Sequence, residues 1–397
     1  MNMLTMKNRF LLVLALIIGL TTACKKKDDD PQPQVQLPAF RTNTIDYNTL
    51  TPTTSYRTSF LDKNGDSTVD RTEGRERLRM FKGLFAYIGT ATKDGDVIDS
   101  ATISNLFANE NTAFTGAYAD LNGNTFSIKS ATAASLTNKQ DVDNFLEHAF
   151  GRMAYISQFS GDVASKGVPG KLGTYLVDEN GVEWAQIIQK SLIGGYHLDY
   201  IANVMLVAGL NADNSKLVAG KNYTALEHNW DVAYGFLSIN DIYGLNGTAD
   251  GVTPATNGGE SYLGAYTWEY NRKNFGKVHS AFLKGRAAIH NNDMAEVQNQ
   301  AKIIRNILEF AVGAAANGYM VKASNPATVE ASRAHAFGEG YGFVYATRFC
   351  KLTGCTDAFS NGLMNDLFTS SVTNFYDIIA SQFTGVSNKL KNKFNIQ

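Results

Sequence analysis

Apolar residues recur every three to four positions along most of this chain, and runs that alternate apolar with polar are few. That period marks helices that bury one face. It predicts helices over 73–88, 100–108, 139–159, 182–208, 225–239, 266–290, 294–321, 329–349 and 363–383. Two of them carry start signals. Thr224 is followed three positions later by Glu227, and Asp293 by Glu296, the reciprocal pattern of a capping box. Stretches rich in Gly, Asn, Asp and Ser at 161–180, 211–223 and 244–262 separate the helices, and the last is long and polar enough to be a lid or a mobile insertion. No short repeat recurs, which counts against a tetratricopeptide array. Long helices with short and medium connections predict an all-α fold, a helical bundle.

The first residues break this pattern. Lys7 and Arg9 precede an apolar run over 10–20, which ends in small residues before a cysteine, Leu20-Thr21-Thr22-Ala23-Cys24. The run is short of the roughly 20 apolar residues a membrane span needs, so 1–23 reads as a signal peptide. Its end resembles the lipobox of bacterial lipoproteins, with Thr21 where leucine is commonest, and that resemblance makes Cys24 the lipidation site. Acyl chains on a cysteine hold a protein to a leaflet, so the membrane is the first expected partner. Lys25, Lys26, Lys27, Asp28, Asp29, Asp30 and the prolines at 31 and 33 cannot bury apolar surface. Residues 24–44 are therefore expected to be anchor and tether, and 45–397 the helical domain. The lysine and aspartate run also resembles the signal that sends lipoproteins of the Bacteroidota to the outer face of the outer membrane. The alternative is a spacer on a protein facing the periplasm.

Charge and cysteine content narrow the picture. Of 36 basic residues, Lys7 and Arg9 leave with the signal peptide, so 34 stand against 37 acidic ones. That balance does not favour nucleic acid. Cys350 and Cys355 flank a turn containing Gly354 and are expected to form a disulfide in an oxidising compartment.

The strongest local signal is the loop 62–73, which matches an EF-hand-type calcium loop. Asp62, Asn64, Asp66, the carbonyl of Thr68, Asp70 and Glu73 fall at the ligand positions, the oxygen set that a hard cation requires. Ser67 stands where the loop expects glycine, and no clear helix precedes it, so the expected role is a structural calcium rather than a switch. The alternative is an acidic surface turn.

Common enzyme templates are absent from the sequence: there is no His-Glu-x-x-His, no Gly-x-Ser-x-Gly, no phosphate-binding glycine loop followed by lysine, and no Glu-x-x-His pair. No reaction is therefore expected. Helix-face pairs remain as ligand-binding candidates: Glu227, His228 and Asp231; His335 with Glu339; and His197 with Asp199 after Gly194-Gly195, where two helical glycines suggest close packing or a kink.

The segments 221–236 (Lys-Asn-Tyr-Thr-Ala-Leu-Glu-His-Asn-Trp-Asp-Val-Ala-Tyr-Gly-Phe), 281–289 and 333–341 resemble a family of Bacteroidota lipoproteins known as a domain of unknown function. That resemblance covers most of the chain after the tether and implies an all-helical fold. More distantly, the chain is similar to imelysin-like proteins, helical envelope proteins of two packed bundle halves associated with iron uptake and marked by Gly-x-His-x-x-Glu. Gly195 and His197 match that motif, while Tyr200 stands in the glutamate's place.

These features predict an envelope or cell-surface binding lipoprotein, and the imelysin resemblance implies a role in iron or haem acquisition. A second reading is a carbohydrate-binding lipoprotein beside an outer-membrane transporter, using Trp230, Trp268 and Tyr262. A third, a helical hydrolase, has no carboxylate pair singled out by spacing.

Overall fold

The structure is a computed structural model that describes residues 37–41, 43–239 and 261–397. The expected signal peptide, Cys24, the tether up to 36 and nearly all of the expected insertion at 244–262 lie outside the described residues. Among the described residues no helix is long and apolar enough to cross a membrane.

The fold is all-α. Helices α1 (Thr72–Lys93), α2 (Ser100–Ala108), the single turn α3 (Ile128–Ala131) and α4 (Gln140–Ser157) lead to α5 (Trp184–Leu192). There the helix widens into a π-helical segment, Ile193–Met205. Then follow α6 (Ala225–Leu237), α7 (Leu263–Tyr270), α8 (Arg272–His290), α9 (Met294–Ser324), α10 (Glu330–Ala346), α11 (Asp357–Leu367) and α12 (Ala380–Phe394). The 31-residue α9 is the spine. It packs on α8, α10 and α12, while α10 packs on α5 and α1 on α6.

Most helices expected from periodicity are present, and the differences have local causes. The span 182–208 is one rod whose second half is π-helical, and the glycines serve close packing. A Cβ on Gly194 would stand 2.3 Å from the Cβ of Ala346. The span 266–290 breaks at Asn271, whose Nδ2 donates to the carbonyl of Ile307 (3.1 Å). The expected helix 363–383 is two helices. Between Leu367 and Ala380, Thr369 and Asn374 accept from the backbone N–H groups of Val372 and Asp377 (both 3.1 Å), side-chain bonds that compete with helix formation. A two-stranded hairpin, Gly170–Leu172 with Tyr175–Val177, occupies part of the stretch expected to be loop. Both sulfurs of the expected disulfide are free thiols here, Cys350 and Cys355 being buried. The turn is closed instead by the Cys355 N–H donating to the Cys350 carbonyl (3.0 Å) and by Glu309, which accepts from the N–H groups of Leu352 (2.9 Å) and Thr353 (2.7 Å).

The start of α6 forms as its sequence suggests. Thr224 accepts from the Glu227 N–H and Glu227 returns a bond to the Thr224 N–H, a complete capping box. At Asp293 only the first half is made (3.1 Å), because the Glu296 carboxylate turns to Lys284 (2.8 Å).

Candidate functional site

Helix α6 carries two groups of polar residues on different faces. The inner face places Glu227 and Asp231 four residues apart and both fully buried, with Trp230 beside them. Between them lies the fully buried guanidinium of Arg286 from α8, 2.7 Å from Glu227 and 3.1 Å from Asp231. Its remaining nitrogen donates to the hydroxyl of Thr68 (3.0 Å). Arg41 donates to the same Glu227 from the segment 37–41, a turn closed by the Arg41 N–H donating to the Pro38 carbonyl (2.8 Å). Asp231 also accepts from Tyr56 (2.7 Å) and from the Asp70 N–H (3.1 Å). Burial raises the pKa of Glu227, but the two arginines outweigh it and hold the carboxyl below its ordinary value. Asp231 goes the other way: burial outweighs Arg286 and raises it to about 6. Each nitrogen of Arg286 has a partner within this network, while Arg41 bonds Glu227 through Nη2.

The outer side is looser. His228, one residue from Glu227, stacks on Tyr223 (5.1 Å between ring centroids) and places Nε2 3.6 Å from Glu73. Glu73 also meets Arg77 (2.8 Å) and the hydroxyl of Tyr200 (3.4 Å). The Arg77 guanidinium is held between the rings of Phe126 and Tyr200, and its Nη1 has no partner; nor has Nδ1 of His228. Tyr223 donates to Asp70 (3.1 Å), which Lys221 approaches to 3.8 Å. Lys221 in turn lines a cavity of about 520 Å³ with Arg41, Asp62, Lys63, Asn64 and Asn222, walled by Ala39, Phe40 and Leu217. A larger space of about 610 Å³ is also bordered by Ala39 and, among the described residues, has Asp213 as its one charged lining residue.

The loop 62–73 adopts a different form from the one its sequence suggests. Its sharp turn falls at Gly65 (φ 84°), not at Ser67, and closes a tight hairpin in which the Asp62 N–H donates to the Asp66 carbonyl (2.8 Å). Asp62 accepts from the N–H groups of Asn64 (2.8 Å) and Asp66 (3.0 Å) and from the side chain of Asn222 (3.1 Å). The carbonyl of Thr68 faces Arg286 (3.5 Å), and Asp70 accepts from the Thr72 N–H (3.0 Å). Asp, Asn and Gly are turn formers as much as cation ligands, and here the side chain of Asp62 makes an Asx turn. Among the described residues no three His, Cys, Asp or Glu side chains come together as a metal set. These donors do not converge on one point.

The other expected site residues lie apart. His197, on the π-helical segment, is fully buried among Phe81, Tyr196, Phe236 and Tyr262, and both its ring nitrogens lack a partner. Burial lowers its pKa to about 3, so it stays neutral. Asp199 accepts from the Ser135 N–H (2.9 Å), the Ser135 hydroxyl and Asn203 (2.9 Å). His335 lies between Glu183 (2.6 Å) and Glu339 (3.4 Å), and Glu339 reaches Lys190 (3.2 Å). Sequence reasoning missed Arg41, Arg77, Glu183, Lys190 and Arg286. For Arg286 and Lys190 a signal existed: each is a cation close to an apolar helical run, Ala287-Ala288-Ile289 and Ile187-Ile188.

A family model described as a domain of unknown function, DUF4856, matches residues 55–397. The chain belongs to the DUF4856 family. No curated protein and no solved structure matches it. The DUF4856 match begins after the segment 37–41, yet that segment sends Arg41 into the buried network of the DUF4856 domain.

Proposed function

We propose that this DUF4856 chain is a lipid-anchored binding protein of the cell envelope that takes a small ligand in the cavity between segment 37–41, the loop 62–66 and the approach to α6. The observation that carries this reading is the cavity itself. About 520 Å³ is within the range of small-molecule sites, and three separate segments bring Arg41, Asn64, Lys63 and Lys221 to it. The sequence 20–24 supports anchoring through Cys24, and the charged run after it supports a place at the outer membrane. A carbohydrate site built on Trp230 and Trp268 has less support, since both are buried. A hydrolase has less still, since the carboxylates of α6 are held in ion pairs. Iron or haem binding at His197 would need a path into an aromatic core.

The test is a thermal-shift screen of the unlipidated Cys24→Ser protein against calcium, iron, zinc, haem, mono- and disaccharides and small organic and phosphorylated metabolites. A ligand of the native state raises the melting temperature. At least one compound is expected to do so in the unsubstituted chain and to fail in Leu217→Trp, which fills the cavity mouth. A screen with no positive compound, or positives indifferent to Leu217→Trp, would overturn the reading.

A further inference from the structure

Resting on that reading, we propose that the cavity between segment 37–41 and the loop 62–66 is an oxyanion site, one that takes the phosphate or carboxylate group of its ligand.

Three cations line the cavity, Arg41, Lys63 and Lys221, against one carboxylate, Asp62. The oxygens of that carboxylate are held by the N–H groups of Asn64 and Asp66 and by the side chain of Asn222, which fixes their direction and leaves the charge in place. The lysines are held less firmly. Lys63 is exposed at the rim, and Lys221 reaches Asp70 only at 3.8 Å. Arg41 is buried and fixed in place by its bond to Glu227, with its guanidinium carbon 4.9 Å from the Phe40 ring. A buried guanidinium, two exposed ammonium groups and a partly apolar wall concentrate positive potential in this cavity. Lysines serve phosphate as point charges, and arginine adds direction. The same loop that by sequence suggests a cation site thus presents a cavity of opposite electrostatic sense.

Such an anion can be free or carried on a lipid headgroup, and one experiment separates the two. The unlipidated Cys24→Ser protein would be titrated calorimetrically with inorganic phosphate and with citrate at low salt. It would also be sedimented with vesicles of phosphatidylglycerol and of phosphatidylcholine. The expected result is saturable anion binding that weakens at least about tenfold in Lys63→Ala/Lys221→Ala and weakens again as salt is raised. The melting temperature of the double variant without anion should be unchanged. Binding of the free anions alone marks a soluble ligand; sedimentation with phosphatidylglycerol only, displaced by phosphate, marks a headgroup. Either supports the site. Absence of binding in every arm, or binding indifferent to the double variant, overturns it. If the anions fail while a neutral compound in the thermal screen is blocked by Leu217→Trp, the oxyanion inference falls and the binding reading stands.

Discussion

Helix α6 carries two electrostatic environments one residue apart, and the contrast between them separates architecture from function. At Glu227 and Asp231 the charges are fully buried, each is met at 3.1 Å or closer, and every nitrogen of Arg286 has a partner. Around His228, beside the short Arg77–Glu73 and Tyr223–Asp70 bonds, three contacts lengthen to 3.4–3.8 Å, the His228 side chain is 26% exposed, and buried nitrogens on His228 and Arg77 have no partner. The network at Glu227 and Asp231 can meet a ligand only through Arg41 at the cavity edge, and has much to lose if broken. A loose one costs little to keep and leaves valences free.

The largest expected effect comes from opening the closed side. Arg286→Ala leaves Glu227 with Arg41 alone and Asp231 with no cation, and should cost about 3–5 kcal/mol in a urea unfolding experiment. A cost below about 1 kcal/mol would mean that the network does not hold α6 to α8. Next comes the seam that keeps the two environments in register. A Cβ at Gly74 would stand 2.3 Å from the Val232 carbonyl oxygen, so Gly74→Ala should cost about 1–3 kcal/mol by forcing α1 away from α6.

A pH titration reaches a third charged group, away from α6. Burial pulls the His335 pKa down, but its bond to Glu183 outweighs that and leaves it above 6.5. A raised folded pKa means that the stabilisation is complete below the unfolded value near 6.5 and is lost as pH rises through the folded one. The melting temperature should therefore fall as pH rises above neutrality, and His335→Gln should flatten that fall. Glu227 has the opposite sign: its depressed pKa gives stability that is present above about 4.3 and lost on acidification. The smallest effect belongs to the open side, where His228→Asn should change stability by less than about 0.5 kcal/mol.

Legibility followed the same division. The period of apolar residues gave the helices because each buries one face, and Thr224 with Glu227 marked the start of α6 because capping is local. The loop 62–73 is ambiguous because Asp62, Asn64 and Gly65 have the composition of both a calcium loop and a tight turn, and local sequence does not separate the two. The π-helical course of 193–205 was not legible, since its apolar spacing reads as an ordinary helix. Glu227 and Asp231 were singled out correctly as a pair on one face. Their partners Arg41 and Arg286 lie 186 and 59 residues from Glu227, a distance that no local pattern spans. Neither Lys63 nor Lys221 stood out, because a surface lysine acquires meaning only from the cavity it borders.

Amide hydrogen exchange tests the division most directly. In the unliganded Cys24→Ser protein, amides of 227–235 should exchange only with global unfolding, and those of 62–66 and 217–222 much faster. A ligand found in the thermal screen should then slow exchange at 37–41, 62–66 and 217–222 and leave 330–346 unchanged. Protection that appears around His335 or His197 instead, or rapid exchange at 227–235 in the free protein, would contradict the account.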